Sequence, residues 1–250
     1  MRVCCAQLIQ VWDDVDAAFT KADAFLAENS GKADIVMFSE QFATGWRPAP
    51  SKVSGEDVKN RWLALAAKHK VCVVGSYQKV EAGRLPQNTM LVCGPSGEVL
   101  AEYSKIYLFT PGKEDLSFSS GAELVTFAYG GVKFGCAICF DLRFPELFRE
   151  YLRSGCECVL VQAAWPAARV SDWELLLRAR ALENRGFVIG AACMGYDPVS
   201  GTDYCGRSMV CDYEGRVRSD GGVFEGECVG EVDVDGVREM RREWGIDAIS

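Results

Sequence analysis

Two cysteines three positions apart, Cys136 and Cys139, stand in the segment GCAICFDLRFPELFR, residues 135–149. Cysteines at this spacing form redox couples or halves of zinc sites, and a single thiol can act as a nucleophile. A structural zinc site usually has four Cys or His ligands, and the chain has one histidine. The other close cysteine pairs lie inside strand-like runs, so we expect no metal and no cofactor.

The two cysteines occupy different local positions. Cys136 lies within an apolar strand, whereas Cys139 follows the strand and precedes a turn and the helix that opens at Pro145. Residues three apart on a strand point to opposite faces, which disfavours a disulfide and makes Cys136 a packing residue. A thiol at a strand-to-helix turn is exposed, and the next backbone N–H, that of Phe140, can face an oxyanion. A purely structural role for Cys139 is the alternative.

A thiol nucleophile needs a base. The single histidine, His69, lies between two lysines near a helix end, which is typical of a solvated surface residue or a helix C-terminal charge. A carboxylate is therefore the expected base. Glu40 closes the run ADIVMFSE, a predicted buried strand, and the ends of such strands are where α/β sites gather. A capping or ion-paired glutamate is the alternative.

A lysine is the third residue of interest. Lys105 lies in the apolar and aromatic run EYSKIYLF, where an unpaired ammonium group would be costly. We therefore expect it to meet a carboxylate or a substrate oxygen. The alternative is a lysine that covers a sheet edge while its ammonium group reaches water.

The elements that must position these residues follow from apolar periodicity. Strands and helices alternate in two halves of the order β-α-β-α-β-β, with helices predicted over 14–29 and 55–70 and one strand predicted over 187–195. There is no Pro/Gly/Ser linker between the halves. We predict an α/β protein with one domain over residues 1–250, in which two sheets pack face to face and helices lie outside.

Composition limits the partners. The 250 residues are 49% hydrophobic and 25% charged, with a net charge of −8 and no Lys/Arg stripe, which argues against a nucleic-acid or anionic-membrane surface. We find neither a signal peptide nor an apolar run of membrane-spanning length. We expect a cytoplasmic protein with reduced cysteines, whose partners are small molecules and further copies of itself.

Three motifs together resemble the nitrilase superfamily of carbon-nitrogen hydrolases. They are FSEQFATGW around Glu40, YSKIYLF around Lys105 and CFDLRFPELFR from Cys139. The similarity extends to AAWP at Trp165 and to WELLLRARALENRGFVIGAA, and covers nearly the whole chain. The resemblance implies a four-layer αββα sandwich of two packed mixed β-sheets with helices outside, in homodimers or larger homo-oligomers.

The resemblance also implies a role for each residue. Glu40 would be the general base, Cys139 the nucleophile that forms a thioester, and Lys105 the group that stabilises the tetrahedral intermediate. Many members have a second glutamate after the lysine, for which Glu114 is the candidate and the adjacent Asp115 the alternative.

The sequence departs from the family at two positions. Phe140 stands where tyrosine is frequent, and Ala164 precedes Trp165 where asparagine is frequent. Phenylalanine retains the backbone N–H, so we expect Phe140 to contribute to an oxyanion hole. The loss of polar groups affects the substrate pocket.

The run CFDLRFPELFR and the short chain are most similar to the ω-amidase branch, which deaminates ω-amides of dicarboxylic acids such as 2-oxoglutaramate. The carboxylate of such a substrate would need a cation, for which Arg143 and Arg169 are the candidates. We expect Arg143 and Trp165 to contact the substrate. A structural ion pair with Asp141 or Glu146 is the alternative for Arg143.

Other functions remain open at this stage. An N-carbamoyl-amine amidohydrolase or a nitrilase would use the same Glu-Lys-Cys triad. A thiol-redox protein would need Cys136 as well as Cys139. A catalytically silent binding scaffold would normally lack a triad member, and all three are present. A hydrolase of non-peptide carbon-nitrogen bonds, acting on linear amides, is the function that we predict.

Overall fold

Strands and helices alternate along the chain as the apolar periodicity predicts. The computed structural model describes residues 1–246. The first half comprises β1 (Arg2–Gln7), α1 (Val15–Asn29), β2 (Ile35–Met37), α2 (Gly55–His69), β3 (Cys72–Lys79), β4 (Gln87–Cys93) and β5 (Val99–Ser104). The second half comprises β6 (Thr126–Tyr129), β7 (Val132–Ile138), α3 (Pro145–Arg153), β8 (Cys158–Ala163), α4 (Val170–Asn184), β9 (Phe187–Ala192), β10 (Met194–Asp197), β11 (Thr202–Cys205), β12 (Met209–Cys211), β13 (Val217–Asp220), β14 (Gly226–Glu231) and α5 (Val234–Glu243).

Most strands belong to two six-stranded mixed sheets. The first has the order β14-β1-β2-β3-β4-β5 and the second the order β13-β12-β9-β8-β7-β6. The central strands are parallel, β1 to β3 in one sheet and β7 to β9 in the other, and antiparallel strands flank them. Strand β14 pairs along the whole of β1, from Arg2 opposite Glu231 to Gln7 opposite Gly226. The parallel centres place corresponding strand ends at the same edge of each sheet.

Buried side chains hold the layers together. On β1, Cys4 and Ala6 pack in one cluster with α1 and α2, whereas Val3 and Cys5 pack in another with the second sheet. That cluster continues to Tyr151 of α3 and to the apolar side of α4. The order of layers is helix, sheet, sheet, helix, so the predicted αββα sandwich is confirmed.

Helix positions have local causes. Helix α1 begins after Asp14, whose Oδ1 accepts a hydrogen bond of 3.0 Å from the N–H of Ala17. Helix α2 buries Trp62 completely, and the indole N–H donates to the carbonyl of Ser76 at 3.0 Å. A Cβ at position 75 would lie 2.5 Å from this indole, so Gly75 allows α2 to pack closely on β3.

Two predicted strands differ from the structure. Strand β2 ends at Met37, so Glu40 lies in the turn that follows rather than on the strand itself. The single strand predicted over 187–195 is divided at Cys193. The N–H of Met194 donates to the carbonyl of Leu8, so the chain leaves the second sheet at this point. Strand β10 then pairs with β11 as a separate two-stranded sheet. Within residues 1–246, no helix combines the length and apolar character that a bilayer span requires.

Candidate active site

The turn after β7 presents Cys139. Ile138 keeps an extended backbone, Cys139 has φ +48°, and a short 3₁₀ turn covers Cys139–Arg143. The left-handed region costs a non-glycine residue about 1–2 kcal/mol, and such strain persists only where neighbouring contacts impose it. Phe140 lies in the first turn, where a backbone N–H has no intrahelical partner, and its donor is thus available beside the thiol.

Asp141 supplies the contacts that impose this turn. Its Oδ2 accepts hydrogen bonds of 2.8 Å from the Ile138 N–H and from the Tyr103 hydroxyl, and its Oδ1 accepts one of 2.8 Å from the Tyr107 N–H. The side chain is fully buried. Burial raises the pKa of Asp141 to about 6, although the hydrogen bonds oppose this rise. Sequence reasoning assigned Asp141 no positioning role.

Asp141→Asn should remove one source of pH dependence in folding. The folded pKa of Asp141, about 6, exceeds the unfolded value of 3.8, so its contribution to stability is fully present below about 4 and is lost as the pH rises through about 6. The native protein should therefore lose up to about 3 kcal/mol relative to Asp141→Asn between pH 4 and pH 7. Denaturant unfolding of both proteins across this range measures the difference, and parallel stability curves would contradict the prediction.

Lys105 lies between two carboxylates. Its Nζ is 2.9 Å from Oε1 of Glu40 and 2.8 Å from Oε2 of Glu114. All three side chains are fully buried, whereas Asp115 is exposed, so Glu114 is the second glutamate of the cluster. The alternative of a lysine whose ammonium group reaches water is wrong. The predicted contact between Lys105 and a carboxylate is confirmed, and Lys105 makes it with both glutamates.

Lys105 and Glu114 hold each other in their ionised forms. Burial alone lowers the pKa of Lys105, but the carboxylates of Glu40 and Glu114 outweigh this and raise it above its usual range. Burial alone raises the pKa of Glu114, but the Lys105 ammonium and the donors of Phe109 and Asn88 hold it below its usual value. Lys105 therefore stays charged at neutral pH.

Two further groups complete the cluster and were not predicted from the sequence. The amide Nδ2 of Asn88 on β4 donates to Oε1 of Glu40 at 2.8 Å and to Oε1 of Glu114 at 3.1 Å. The N–H of Ala164, just after β8, donates to Oε2 of Glu40 at 2.9 Å. An asparagine inside the buried strand QNTMLVC was the sequence signal for the first of these.

The thiol of Cys139 faces this cluster. Its side chain is partly buried, and Sγ lies 3.9 Å from the carbonyl oxygen of Ala164. Burial and the nearby Glu40 carboxylate raise the pKa of the Cys139 thiol well above its usual value, against the opposing effect of Lys105. The group is therefore a thiol at neutral pH, and a base must take its proton before it can attack.

Above the thiol lies a cavity of about 320 Å³. Lys105, Cys139 and Phe140 line it, together with further aromatic residues: Trp46, Phe109, Trp165 and Tyr204. The lining is mostly apolar, with a few polar groups, as is usual for sites that take small organic ligands.

Three arginines line the same cavity. Arg47 is 3.1 Å from Asp13 and also pairs with Asp197, and Arg143 is 2.7 Å from Asp172 on α4. The predicted alternative partners of Arg143 were therefore wrong, because α4 brings Asp172 to its guanidinium. Arg143 also lies over the Trp165 ring at 5.0 Å. Arg169 packs over an aromatic ring and, within residues 1–246, has no carboxylate partner.

The remaining sequence candidates lie elsewhere. Nε2 of His69 is 2.6 Å from Oδ1 of Asp23, and its side chain is largely buried rather than solvated. Cys136 is fully buried in the core, as predicted. The twelve cysteines are free thiols, and among the described residues no three His, Cys, Asp or Glu side chains are grouped to hold a metal ion.

The carbon-nitrogen hydrolase family model matches residues 2–242. The chain belongs to this family. The resemblance to the nitrilase superfamily is thereby confirmed. This carbon-nitrogen hydrolase has a buried Glu-Lys-Glu cluster beside the Cys139 thiol, and groups of these types can serve as base, cation and nucleophile in the cleavage of an amide.

Relatives of this carbon-nitrogen hydrolase include proteins that are named amidases. The chain is 35% identical to the 2-oxoglutaramate amidase of Bacillus subtilis over 225 residues, which are 88% of this chain and 86% of that protein. It is 32% identical to the ω-amidase NIT2 of Homo sapiens, over 90% of this chain and 86% of that protein. The ω-amidase YafV of Escherichia coli K12 is 29% identical over 98% of this chain and 94% of that protein.

Solved structures of the family superpose closely. A CN-hydrolase superfamily protein of Xanthomonas campestris, with an arsenic adduct in its active site, gives a TM-score of 0.91 at 26% identity and covers 100% of this chain and 97% of that chain. A Cys-to-Ala variant of the amidase from Nesterenkonia sp. AN1, in complex with butyramide, gives 0.87 at 27% identity over 99% of this chain and 96% of that chain.

Proposed function

We propose that this carbon-nitrogen hydrolase releases ammonia from ω-amides of dicarboxylic acids, such as 2-oxoglutaramate, through a thioester on Cys139. The observation that carries the proposal is a cation without a carboxylate partner among residues 1–246, Arg169, in a mostly apolar cavity that Cys139 and Lys105 also line. In this proposal the amide of a linear substrate lies at Cys139 and Lys105 and its carboxylate meets Arg169. The names of the relatives from Bacillus subtilis and Homo sapiens agree with this substrate class.

In the proposed first step, Glu40 takes the proton of the Cys139 thiol and the sulfur attacks the amide carbon. Two of the three ammonium protons of Lys105 are used by carboxylates, which leaves the third for the developing oxyanion. The N–H of Phe140 is the second donor. Each such donor contributes about 3 kcal/mol to lowering the barrier.

In the proposed second step, the proton held by Glu40 passes to the amide nitrogen, the carbon-nitrogen bond breaks and ammonia leaves. A thioester between Cys139 and the acyl group remains. Water then attacks its carbonyl carbon as Glu40 takes the water proton, and the carbon-sulfur bond breaks to give the dicarboxylate and the thiol. Glu114 keeps Lys105 in place through both steps and does not itself exchange a proton.

The carboxylate of the substrate is proposed to meet Arg169, with Arg143 and Trp165 on the same wall. Trp165 contacts both arginines. Arg143 stacks on the Trp165 ring, and the Nε1–H of Trp165 donates to the Arg169 carbonyl at 2.7 Å. The charge of Arg143 is shared with Asp172, whereas that of Arg169 is not. Arg169 should therefore contribute more to carboxylate binding.

Arg169→Gln should raise KM for 2-oxoglutaramate about tenfold to hundredfold and leave kcat nearly unchanged, because a charge-assisted contact remote from the reacting carbon is lost. Arg143→Gln should have a smaller effect. Butyramide, which has no carboxylate, serves as the control substrate, and its KM should not change in Arg169→Gln. An equal rise in KM for both substrates would show that Arg169 supports the pocket without binding the carboxylate.

Ammonia release tests the proposed substrate class. The panel comprises 2-oxoglutaramate, 2-oxosuccinamate, butyramide, an N-carbamoyl amine and a nitrile, and Cys139→Ala provides the background. Preference in kcat/KM for the two ω-amides is expected. A preference for the carbamoyl amine or the nitrile would identify the other hydrolases that share the triad. A folded protein that releases ammonia from none of them would favour a binding scaffold.

We further propose that residues 1–250 form one domain, that the protein acts in the cytoplasm and that it forms homodimers or larger homo-oligomers. The core cluster that spans both sheets supports the single domain. Light scattering on the purified protein measures the oligomer, and a monomer at micromolar concentration would contradict that proposal.

A further inference from the structure

The two oxygens of the Glu40 carboxylate have different surroundings. Oε1 accepts hydrogen bonds from Lys105 and Asn88, at 2.9 and 2.8 Å. Oε2 accepts one, from the backbone N–H of Ala164 at 2.9 Å. A carboxylate oxygen offers about two acceptor positions, so Oε1 is saturated while Oε2 keeps one position free. Only Oε2 can therefore take a proton without losing an existing hydrogen bond.

Asn88 makes this asymmetry possible. Its two amide hydrogens go to two different carboxylates, Glu40 at 2.8 Å and Glu114 at 3.1 Å. Its Oδ1 is buried and has no hydrogen-bond partner within residues 1–246. Turning the amide round would place that oxygen against two carboxylates, so its orientation is fixed by charge. An unpaired buried acceptor is unfavourable, and the two charge-assisted hydrogen bonds offset it.

We propose that Asn88 is a positioning residue for the reaction, which holds Glu40 so that Oε2 is the oxygen that exchanges the proton with Cys139. This rests on the proposed function insofar as Glu40 is the base. Lys105 alone cannot perform this role, because its ammonium group can rotate and has three equivalent donors. The planar amide of Asn88 spans both carboxylates at a fixed separation.

Asn88 donates to two carboxyl groups, and such hydrogen bonds favour the charged form of a carboxyl group, so loss of the amide should make the cluster bind a proton more readily. The titratable and charged groups that face this cluster come from every neighbouring element. They are Lys105, Glu114, Cys139, Asp141, Cys193 and Tyr204. Among these groups only Glu114 loses a hydrogen bond when Asn88 is substituted, and the others keep the contacts described above, so a change in the pH profile reports the loss of the amide donors.

The experiment follows alkylation of Cys139 by iodoacetamide between pH 5 and pH 9, with a mass spectrum to confirm the modified cysteine. The acid limb of this profile is the range in which the alkylation rate falls as the pH is lowered. Its position reports the pH above which the base is unprotonated and can take the thiol proton. In Asn88→Ala and in Asn88→Leu, which is similar in size to the native residue and adds no charge, the limb should move to higher pH by about one unit or more, since each removes two hydrogen bonds to charged groups. Alkylation needs no substrate, so the result stands even if ω-amides prove not to be the substrates.

Thr89→Val is the matched control. Thr89 is the next residue of β4, is equally buried, and bonds to Ser104 and to the carbonyl of Gln87 rather than to a carboxylate. Its acid limb should coincide with that of the native protein. If Asn88 only fills space, its variants should lower the plateau rate and leave the limb in place, and this outcome overturns the proposal. Should one Asn88 variant fail to fold, the other decides by the same criterion.

Discussion

Cys139→Ala is expected to lower kcat/KM for amide hydrolysis by about 10⁴-fold or more. No other thiol reaches the reacting carbon, because among the cysteines only Cys139 lines the cavity with Lys105. The Lys105 and Phe140 donors would still bind the substrate carbonyl, so KM should change far less than kcat. Cys139→Ser should be nearly as inactive, since a hydroxyl gives up its proton much less readily than a thiol.

The measurement is steady-state ammonia release together with a search for the acyl-enzyme by mass spectrometry after rapid acid quenching. Cys136→Ser is the matched control, because it changes the other cysteine of the same pair and lies outside the cavity. It should retain activity and lose some stability, as a hydroxyl replaces a buried thiol. Activity that depended on both cysteines would instead support thiol-redox chemistry.

Lys105→Ala is expected to damage both catalysis and folding. Loss of the oxyanion donor should reduce kcat by about 10²- to 10³-fold. Two carboxylates, Glu40 and Glu114, would then be buried without their cation, and breaking a buried ion pair in this way typically destabilises a protein by about 3–5 kcal/mol. The sequence predicted that Lys105 meets a carboxylate or a substrate oxygen, but not that it lies between two fully buried carboxylates, so the expected effect on folding follows from the structure.

The pH dependence of this loss has a definite sign. Lys105 holds the folded pKa of Glu114 below its ordinary value of 4.5, so the stability that Glu114 contributes is present above about 4.5 and is lost as the pH falls. The difference in unfolding free energy between the native protein and Lys105→Ala should thus be large at pH 7 and shrink below about pH 5. Denaturant titrations at both values measure it, with the exposed Lys52→Ala as control. A constant difference would contradict the burial argument.

The sequence identified the residues that we propose to react but not those that hold them. Glu40, Lys105 and Cys139 could be selected because each is a polar group at the end of, or inside, an apolar run. Asn88 and Asp141 also belong to the site. Their partners, however, come from strands and turns that are distant in sequence, so neither side chain could be assigned a role before the sheets were assembled.

Ion pairing also depended on tertiary structure. Arg143 lies close in sequence to Asp141 and Glu146, yet it pairs with Asp172 because α4 packs beside the turn Cys139–Arg143. Asp141 turns inward to satisfy three donors and is not available to an arginine. Local spacing predicts neighbours within one helix, whereas the partner of a residue in a turn is decided by what packs against it.

The boundaries of the elements were predicted less well than their existence. Residues 187–195 are uniformly apolar or small, which predicts one strand, but hydrogen bonds from Met194 to the segment around Leu8 end it early. Backbone pairing with a distant segment is not encoded in local periodicity. The consequence is functional, because the separate hairpin β10–β11 brings Asp197 and Tyr204 to the cavity.

The pairing of β14 with β1 has a consequence for biosynthesis. Strand β1 is made before the other strands. One of its edges has no partner until β14, residues Gly226–Glu231, has left the ribosome. Such distant pairings form slowly, and an open apolar strand edge is a template for association with other chains. If translation stalls before β14, the unpaired edge of β1 therefore stays exposed and can associate with other chains. The nascent chain should depend on a chaperone until β14 has been made.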